Sequence, residues 1–304
     1  MTSSSARRTL RLLAACAAAI LLAGGAGKET AAQVAWSHGQ SVVPVYEGWE
    51  QNPDGSFNLV FGYFNRNHEE ELDIPVGPGN FLEPGAPDQG QPTHFYPQRS
   101  RFLFRVRVAA DFGDGEVVWT LVSNGRTERA YATRKTDYYI DDIVVMNNNG
   151  AGGQAGGGND LFGNAAPKLQ VDGDLTRRVR VGEPVQLTAR ASDDGIPAPR
   201  AVPFTPLLGG RCCPDAAAGL RLSWFVYRGA NDVVFDPPQF DAWENYRDWA
   251  DSPYAAGWET PPAPADGRWV IQATFSSPGT YVLRCLAHDG GLMTSEDVTF
   301  IVSR

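Results

Sequence analysis

The last thirty residues constrain the fold of this chain most, because apolar and polar side chains alternate there with a period of two. Tyr281, Leu283 and Cys285 share one parity, between a Pro-Gly turn at 278–279 and a Gly-Gly turn at 290–291. A further alternating run follows the second turn. Successive side chains of a strand point to opposite faces, so this pattern predicts antiparallel strands with one face in a core. The chain is therefore expected to end in a β-sandwich.

Alternating runs of this kind fill two stretches of the chain, residues 34–146 and 165–304. Short strands with turn signals between them, and no helical crossovers, predict an all-β fold of two antiparallel β-sandwich domains. Residues 147–164, which join the two stretches, are rich in Gly and Asn. A segment of this composition behaves as a flexible linker, so the two domains could reorient freely.

Parity also assigns the faces of individual strands. The dipeptide Asn124-Gly125 predicts a type I′ hairpin turn in the first domain. In the second domain, one parity of the strand near residue 224 is expected in the core: Leu222, Trp224 and Val226. In residues 101–108 of the first domain, the alternating apolar side chains are expected to face a core: Phe102, Phe104, Val106 and Val108. The arginines between them are expected to face solvent: Arg101, Arg105 and Arg107. Such an arginine row usually pairs with acidic side chains of a neighbouring strand.

The first 32 residues have the pattern of a secretory signal peptide. Arg7, Arg8 and Arg11 precede an apolar stretch, residues 12–23, which is too short to remain as a membrane span. The pattern therefore predicts export, with the mature chain secreted or periplasmic. A lipobox-like sequence ending at Cys16 leaves a lipoprotein as the alternative.

The charge balance restricts the partners of this chain. It has 26 Lys and Arg residues against 35 Asp and Glu residues, a formal net charge of −9. An acidic protein repels nucleic acid and anionic membrane surfaces. Nucleic-acid binding is therefore disfavoured, and no segment after the signal is apolar enough to cross a membrane.

The second domain resembles the PKD-like branch of immunoglobulin-like domains over about residues 166–304. The resemblance rests on four segments: Ala191-Ser192-Asp193-Asp194-Gly195, Leu222-Ser223-Trp224, Pro278-Gly279-Thr280-Tyr281 and Ala287-His288-Asp289-Gly290. Phe225-Val226-Tyr227 replaces the family's usual W-D-F-G-D-G motif after Trp224. Such domains occur widely in exported bacterial proteins. The first domain resembles an uncharacterised β domain of secreted bacterial proteins at residues 62–67 and 90–95, and this likeness implies no activity.

Three carboxylates are the best candidates for a metal site. The resemblance places Asp193, Asp194 and Asp289 at strand ends on one edge of the sandwich. Clustered carboxylates there could hold Ca²⁺, a cation that takes six to eight oxygen ligands. The alternative is that each is an ordinary turn residue, because Asp is favoured in turns. No other cofactor is expected.

The cysteines allow one disulfide in the exported chain. Cys16 lies in the signal, which leaves Cys212, Cys213 and Cys285. Cys285 could pair with Cys212 or with Cys213, and a vicinal bond between Cys212 and Cys213 is also open. Cys285 shares the parity of Tyr281 and Leu283, so its side chain is expected in the core.

An aromatic-rich insertion, residues 236–267, interrupts the second domain. Its candidate ligand-binding side chains are Phe240, Trp243, Tyr246, Trp249 and Trp258. Exposed rings of this kind could stack on sugar rings. The alternative is that they pack on the sandwich and cover an open sheet edge.

Motifs for nucleophilic, zinc-dependent or nucleotide-dependent catalysis are missing from the sequence. We therefore expect an exported, non-enzymatic binding or spacer protein of the bacterial envelope, in contact with a polysaccharide or an envelope protein. The alternatives are a glycan-active hydrolase or enzyme accessory subunit, since paired carboxylates leave no short motif, and a purely structural spacer.

Overall fold

The computed structural model describes these residues: 36–149, 161–200, 204–205, 210–211, 218–230, 232–239 and 263–304. The predicted signal peptide lies outside them, as do most of the linker and most of the aromatic insertion. The domain boundaries drawn from the sequence therefore stay predictions. Residues 36–304 cluster as a single compact unit.

The first half is a β-sandwich of short strands. In chain order they are β1 (Val42–Gln51), β2 (Phe57–Asn65), β3 (Leu72–Asp73), β4 (Asn80–Glu83), β5 (His94–Phe95), β6 (Gln98–Val108), β7 (Glu116–Ser123) and β8 (Arg126–Thr133). One sheet has the order β1-β2-β6 and another β4-β7-β8, while β3 pairs with β5. Phe61 stacks on Phe104 at 5.3 Å between ring centroids, and Trp119 meets both rings edge-on. These aromatic rings fill the space between the sheets.

A 3₁₀ turn (Thr136–Tyr138) and helix α1 (Asp142–Asn148) follow the first sandwich. The side chain of Asp141 caps α1 by accepting the backbone N–H of Val144.

The second half is also a β-sandwich. Its strands are β9 (Lys168–Val171), β10 (Thr176–Arg180), β11 (Val185–Ser192), β12 (Phe204–Thr205), β13 (Gly210–Arg211), β14 (Arg221–Arg228), β15 (Val233–Asp236), β16 (Arg268–Phe275), β17 (Gly279–His288) and β18 (Met293–Ser303). The facing sheets have the orders β10-β18-β17-β14 and β15-β16-β11-β9, with Trp224, Phe275 and Phe300 fully buried between them. The pairs are antiparallel except for β10 with β18, which is parallel. The all-β prediction is confirmed.

Local predictions in both halves are confirmed. Tyr281, Leu283 and Cys285 on β17 are buried, and Tyr281 pairs with Phe300 of β18. Asn124 and Gly125 both have positive φ angles, 47° and 74°, in the hairpin that joins β7 to β8. Positive φ at both central positions is what a type I′ turn requires.

The predicted alternation of β6 fails at one point. Phe61 of β2 pairs with Phe104 and Tyr63 pairs with Ser100, so Gly62 alone faces Arg101, Phe102 and Leu103. Phe102 takes a left-handed φ of 51°, and its ring enters a separate cluster with Met146 of α1. The bulge adds two residues to β6, so Leu103 and Phe104 both join the main core. Parity cannot anticipate an insertion of this kind.

The arginine row of β6 pairs with acidic side chains, as expected. Arg105 forms an ion pair with Glu50 of β1, and Arg107 forms one with Asp54 in the turn before β2. Both pairs are partly or largely exposed, so each contributes little to stability.

The two sandwiches share part of a hydrophobic core. The core of the first sandwich includes Phe225 and Tyr227 of β14 and Leu286 of β17, which project from the outer face of the second sandwich. Because these large side chains are buried between the halves, free reorientation of the two domains is contradicted.

Candidate functional site

The most extensive polar contacts between the halves lie where a loop of the first sandwich meets β14. We call residues 88–96 the junction loop. The hydroxyl of Tyr96 accepts the backbone N–H of Val226 at 3.0 Å, and the N–H of Thr93 donates to the carbonyl of Tyr227 at 3.1 Å. An edge strand presents unpaired backbone groups, and the junction loop satisfies those of β14.

Arg228 at the end of β14 fixes the start of the junction loop. Its two Nη atoms donate to the carboxylate oxygens of Asp88 at 2.7 and 3.0 Å, and its Nε donates to the carbonyl of Gln91 at 2.8 Å. The hydrogen bonds from Arg228 lower the pKa of the Asp88 carboxyl. A bidentate arginine–carboxylate pair adds orientation as well as attraction.

Arg284 on β17 is the central charged residue between the sandwiches. It is 8% exposed, donates through Nε and Nη2 to both oxygens of Asp297, and donates through Nη1 to the Leu103 carbonyl at 2.6 Å. Its guanidinium carbon lies 3.5 Å from the centre of the Tyr227 ring. Burial opposes its charge, but Tyr227 and Asp297 outweigh burial and raise the Arg284 pKa. Burial raises the pKa of Tyr227 to about 12.

His94, within the junction loop, is buried between two carboxylates. Its Nδ1 lies 2.7 Å from Oδ1 of Asp73, and its Nε2 lies 3.2 Å from Oε2 of Glu71. The ring of Tyr96 meets it edge-on at 4.4 Å. Burial alone would lower the pKa of His94, but its contacts with the carboxylates of Asp73 and Glu71 outweigh burial and raise it. The contact with Asp73 links β5 to β3, and the raised pKa favours the protonated imidazole.

A cavity of about 270 Å³ opens at the same junction, beside the bulge of β6. The first sandwich contributes Arg101, Phe102, Leu103 and Arg105, and the second contributes residues of β14, β17 and β18. We call this space the junction cavity. It exists only where the sandwiches meet, and small-molecule sites occur preferentially at such interfaces.

The three predicted calcium ligands are not equivalent. The carboxylate oxygens of Asp194 both accept backbone N–H groups, from Ala165 and Ile196. Asp193 uses Oδ2 for Gly195, while its Oδ1 is buried without a hydrogen-bond partner among the described residues. The structure therefore leaves Asp193 available for a cation and commits Asp194 to the backbone.

Asp289 is the most buried carboxylate of this set, with 0% exposure. Its Oδ1 accepts the backbone N–H groups of Gly291 and Leu292, whereas Oδ2 has no hydrogen-bond partner in the described part of the chain. Burial, with a further contribution from the charge of Asp193, raises the pKa of Asp289 to about 6. An ionised carboxylate buried in this way needs a compensating positive charge.

Asn164, which the sequence did not predict as a site residue, also lies at this edge. Its amide lies beside Asp289 and Gly291, and its Oδ1 is buried and unpaired. We call Asn164, Asp193 and Asp289 the acidic edge. In the described ranges, no group of three or more His, Cys, Asp or Glu side chains could hold a metal. The acidic edge has two carboxylates and one amide, so backbone carbonyls or water would have to complete a calcium shell. Arg221 also lies close enough to act on Asp289.

The remaining predicted site residues fall outside the described ranges. They are Phe240, Trp243, Tyr246, Trp249, Trp258, Cys212 and Cys213. Cys285 is fully buried, as its parity predicts, and burial raises the pKa of its thiol.

The burial of the outer face of β14 was not predicted from the sequence. Leu222, Trp224 and Val226 enter the core of the second sandwich, as predicted, but Phe225 and Tyr227 are equally buried. The available signal was the nearly unbroken apolar run of residues 222–227, because a strand covered on both faces loses its alternation.

Comparisons with known proteins give fold neighbours only. No protein family and no characterised protein sequence matches this chain. Among solved structures, it is similar to titin domains Z1Z2 in complex with telethonin, at 9% identity over 87% of this chain and 92% of that chain, with a TM-score of 0.23. It is similar to fibronectin(III)-like modules of CbhA from Clostridium thermocellum, at 8% identity over 86% and 94%, TM-score 0.23.

A third neighbour is the adhesin InvE of Yersinia pseudotuberculosis, at 12% identity over 86% of this chain and 58% of that chain, with a TM-score of 0.23. At these identities and TM-scores the likenesses carry no argument about the function of this chain. Among the described residues, no helix has the length and apolar character needed to cross a membrane.

Proposed function

We propose that this chain is an exported, non-enzymatic binding or spacer protein of the bacterial envelope, and that its two sandwiches act as one rigid body. The single observation that carries the proposal is the shared core, in which Phe225, Tyr227 and Leu286 of the second sandwich complete the first. A large apolar interface suppresses relative domain motion. A rigid pair of sandwiches holds its two ends at a fixed separation, which suits a spacer or a platform for a partner.

The proposed partner is a polysaccharide or another envelope protein. The net charge of −9 disfavours nucleic acid, and the signal-like residues 1–32 support a secreted or periplasmic location, with a lipoprotein as the alternative. The aromatic insertion adds a candidate surface for sugar stacking. A purely structural spacer and a glycan-active hydrolase or accessory subunit are the competing functions.

The experiment that tests this function is a retention assay on insoluble polysaccharides and isolated envelope fractions. The exported chain without residues 1–32 is compared with Trp243→Ala and Trp249→Ala, each checked for unaltered unfolding. Retention of the unaltered chain supports the proposal, and its loss in the variants places the contact on the insertion. Release of soluble sugar would contradict a non-enzymatic role, and no retention on any fraction would leave only the structural spacer.

The proposal includes a Ca²⁺ ion at the acidic edge. The support is chemical: Asn164, Asp193 and Asp289 each have one buried oxygen without a hydrogen-bond partner among the described residues, and both Asp193 and Asn164 act on Asp289. Carboxylate and amide oxygens are the ligands that Ca²⁺ prefers. The residues come from three separate segments of the chain, so one cation there would tie residue 164 to the turn between β17 and β18.

A further inference from the structure

The junction cavity is built by a strained stretch of backbone. Phe102 has a φ of 51°, a conformation that is a genuine outlier for a bulky residue. Strain of this kind persists only where the surrounding structure enforces it, and it clusters at functional sites. Here the bulge places Phe102 in the cluster near α1, and Arg101, Phe102, Leu103 and Arg105 all line the cavity.

The wall of the cavity toward the second sandwich is fixed. Arg284 lines it, but Asp297, the Leu103 carbonyl and the Tyr227 ring hold its guanidinium in place. Leu286 adds a buried apolar surface, with Met293 beside it, and Ser295 adds an exposed hydroxyl. One side of the cavity is therefore a rigid surface with both apolar and hydroxyl character.

The opposite side of the cavity carries two guanidinium groups, each of which also interacts within the protein. Arg101 and Arg105 both line the cavity, and Arg105 uses its Nε for Glu50. A guanidinium has five N–H donors in a planar fork, so Arg105 keeps its terminal nitrogens for a second acceptor. Arginine is the side chain best suited to planar recognition of a carboxylate.

The cavity volume of about 270 Å³ limits the size of the ligand. Pockets for drug-sized molecules begin at roughly 300 Å³, so this one takes a single small unit. A sugar acid combines an apolar ring face, hydroxyl groups and a carboxylate in one unit, which matches the mixture of Met293, Ser295 and the arginines.

We propose that the junction cavity binds one carboxylate-bearing sugar unit, with its carboxylate on Arg101 and Arg105. This inference deepens the proposed function and rests on it, because it assigns the polysaccharide partner to the acidic class. The unit could be a free sugar acid or the end of an acidic polysaccharide. Both ligands present the same chemical group, a carboxylate on a pyranose ring.

The test is a titration of the full chain with galacturonate, with galactose as the uncharged counterpart and with trigalacturonate as a chain end, followed by calorimetry. We expect binding of galacturonate or trigalacturonate, and at least about tenfold weaker binding of galactose. Tighter binding of trigalacturonate indicates a chain end, and equal binding indicates a free sugar acid.

Substitutions at the junction cavity test whether the ligand binds there. Arg105→Gln and Arg101→Gln are expected to weaken binding by at least about tenfold, and Ser295→Trp is expected to block it sterically. Arg107→Gln is the matched control, because Arg107 lies on the same strand, pairs with Asp54 and does not line the cavity. Unfolding curves confirm that each variant folds.

Equal binding of galactose, equal loss in Arg107→Gln, or absence of binding to both galacturonate and trigalacturonate would each overturn the inference. The proposed function is judged separately by envelope retention. A chain that is retained on envelope fractions but does not bind galacturonate contradicts only the cavity assignment.

Discussion

Arg284 donates to the carbonyl oxygen of Leu103 at 2.6 Å across 181 residues of sequence. One residue lies on the outer face of the second sandwich and the other in the bulge of the first. The same guanidinium donates to both oxygens of Asp297, so this hydrogen bond links the bulge of the first sandwich to an ion pair of the second.

Replacing Arg284 tests the strength of this connection. Arg284→Ala leaves the buried Leu103 carbonyl and the partly exposed Asp297 carboxylate without their donor, and the loss of charge-assisted hydrogen bonds of this kind costs about 3 kcal/mol. We expect urea unfolding to show a loss near that size, and Arg284→Lys to recover little because lysine lacks the planar fork. Arg107→Ala, which removes an exposed pair, should change stability by less than about 1 kcal/mol. Equal effects of the two alanine variants would contradict the assignment.

Gly62 is predicted to be intolerant of any side chain. A Cβ there would collide with the carbonyl oxygen of Ser100 and the carboxylate of Glu47, because the bulge brings β6 close to β2. We expect Gly62→Ala to lower the free energy of unfolding by about 2 kcal/mol or more. Gly79→Ala is the control, since its nearest neighbour would be Ile74 at an ordinary 3.5 Å. A Gly62→Ala chain as stable as Gly79→Ala would contradict the packing of the bulge.

His94 makes the stability of the chain depend on pH. Its folded-state pKa is raised above the ordinary 6.5, so its stabilisation is complete below about pH 6.5 and is lost as pH rises through the folded-state pKa. His94→Gln cannot become charged, so the stability difference between the two chains should shrink with rising pH. Chemical unfolding from about pH 5.5 to about pH 8.5 measures it. A constant difference would mean that His94 acts only by packing.

Calcium is expected to stabilise the chain through the acidic edge. At about 100 times the Kd, a ligand adds about 2.7 kcal/mol, or roughly 5–10 °C in Tm for a chain of this size. Asp289→Asn and Asp193→Asn should abolish the shift. Asp194→Asn should keep it, because the Asp194 oxygens bind backbone N–H groups. Equal Tm values in calcium and in chelator would remove Ca²⁺ from the proposed function.

The sequence predicts the strands of this fold better than it predicts their assembly. Period-two alternation locates β17 and β18 and assigns Leu222 and Trp224 to a core, since each pattern is local. The bulge at Phe102 is set by contacts with Met146 and Leu292 far along the chain, so no local pattern announces it. The same holds for Phe225 and Tyr227, whose burial depends on the other sandwich.

The candidate sites also contain some residues that the sequence predicts and others that it does not. Two of the three predicted acidic residues, Asp193 and Asp289, come close enough for their charges to interact. Asp194 has its oxygens committed to the backbone N–H groups of Ile196 and Ala165, and Asn164 enters from a segment with no strand pattern. The junction cavity and His94 depend on long-range contacts, which neither composition nor spacing encodes.

The shared core also changes what the covalent linker is needed for. Phe225, Tyr227 and Leu286 hold the halves together through buried apolar surface and not through the chain between Asn149 and Leu161. A protease cut in that interval should therefore leave the fragments associated as a noncovalent heterodimer. Either half produced alone would expose its part of this surface to water and would be prone to aggregate.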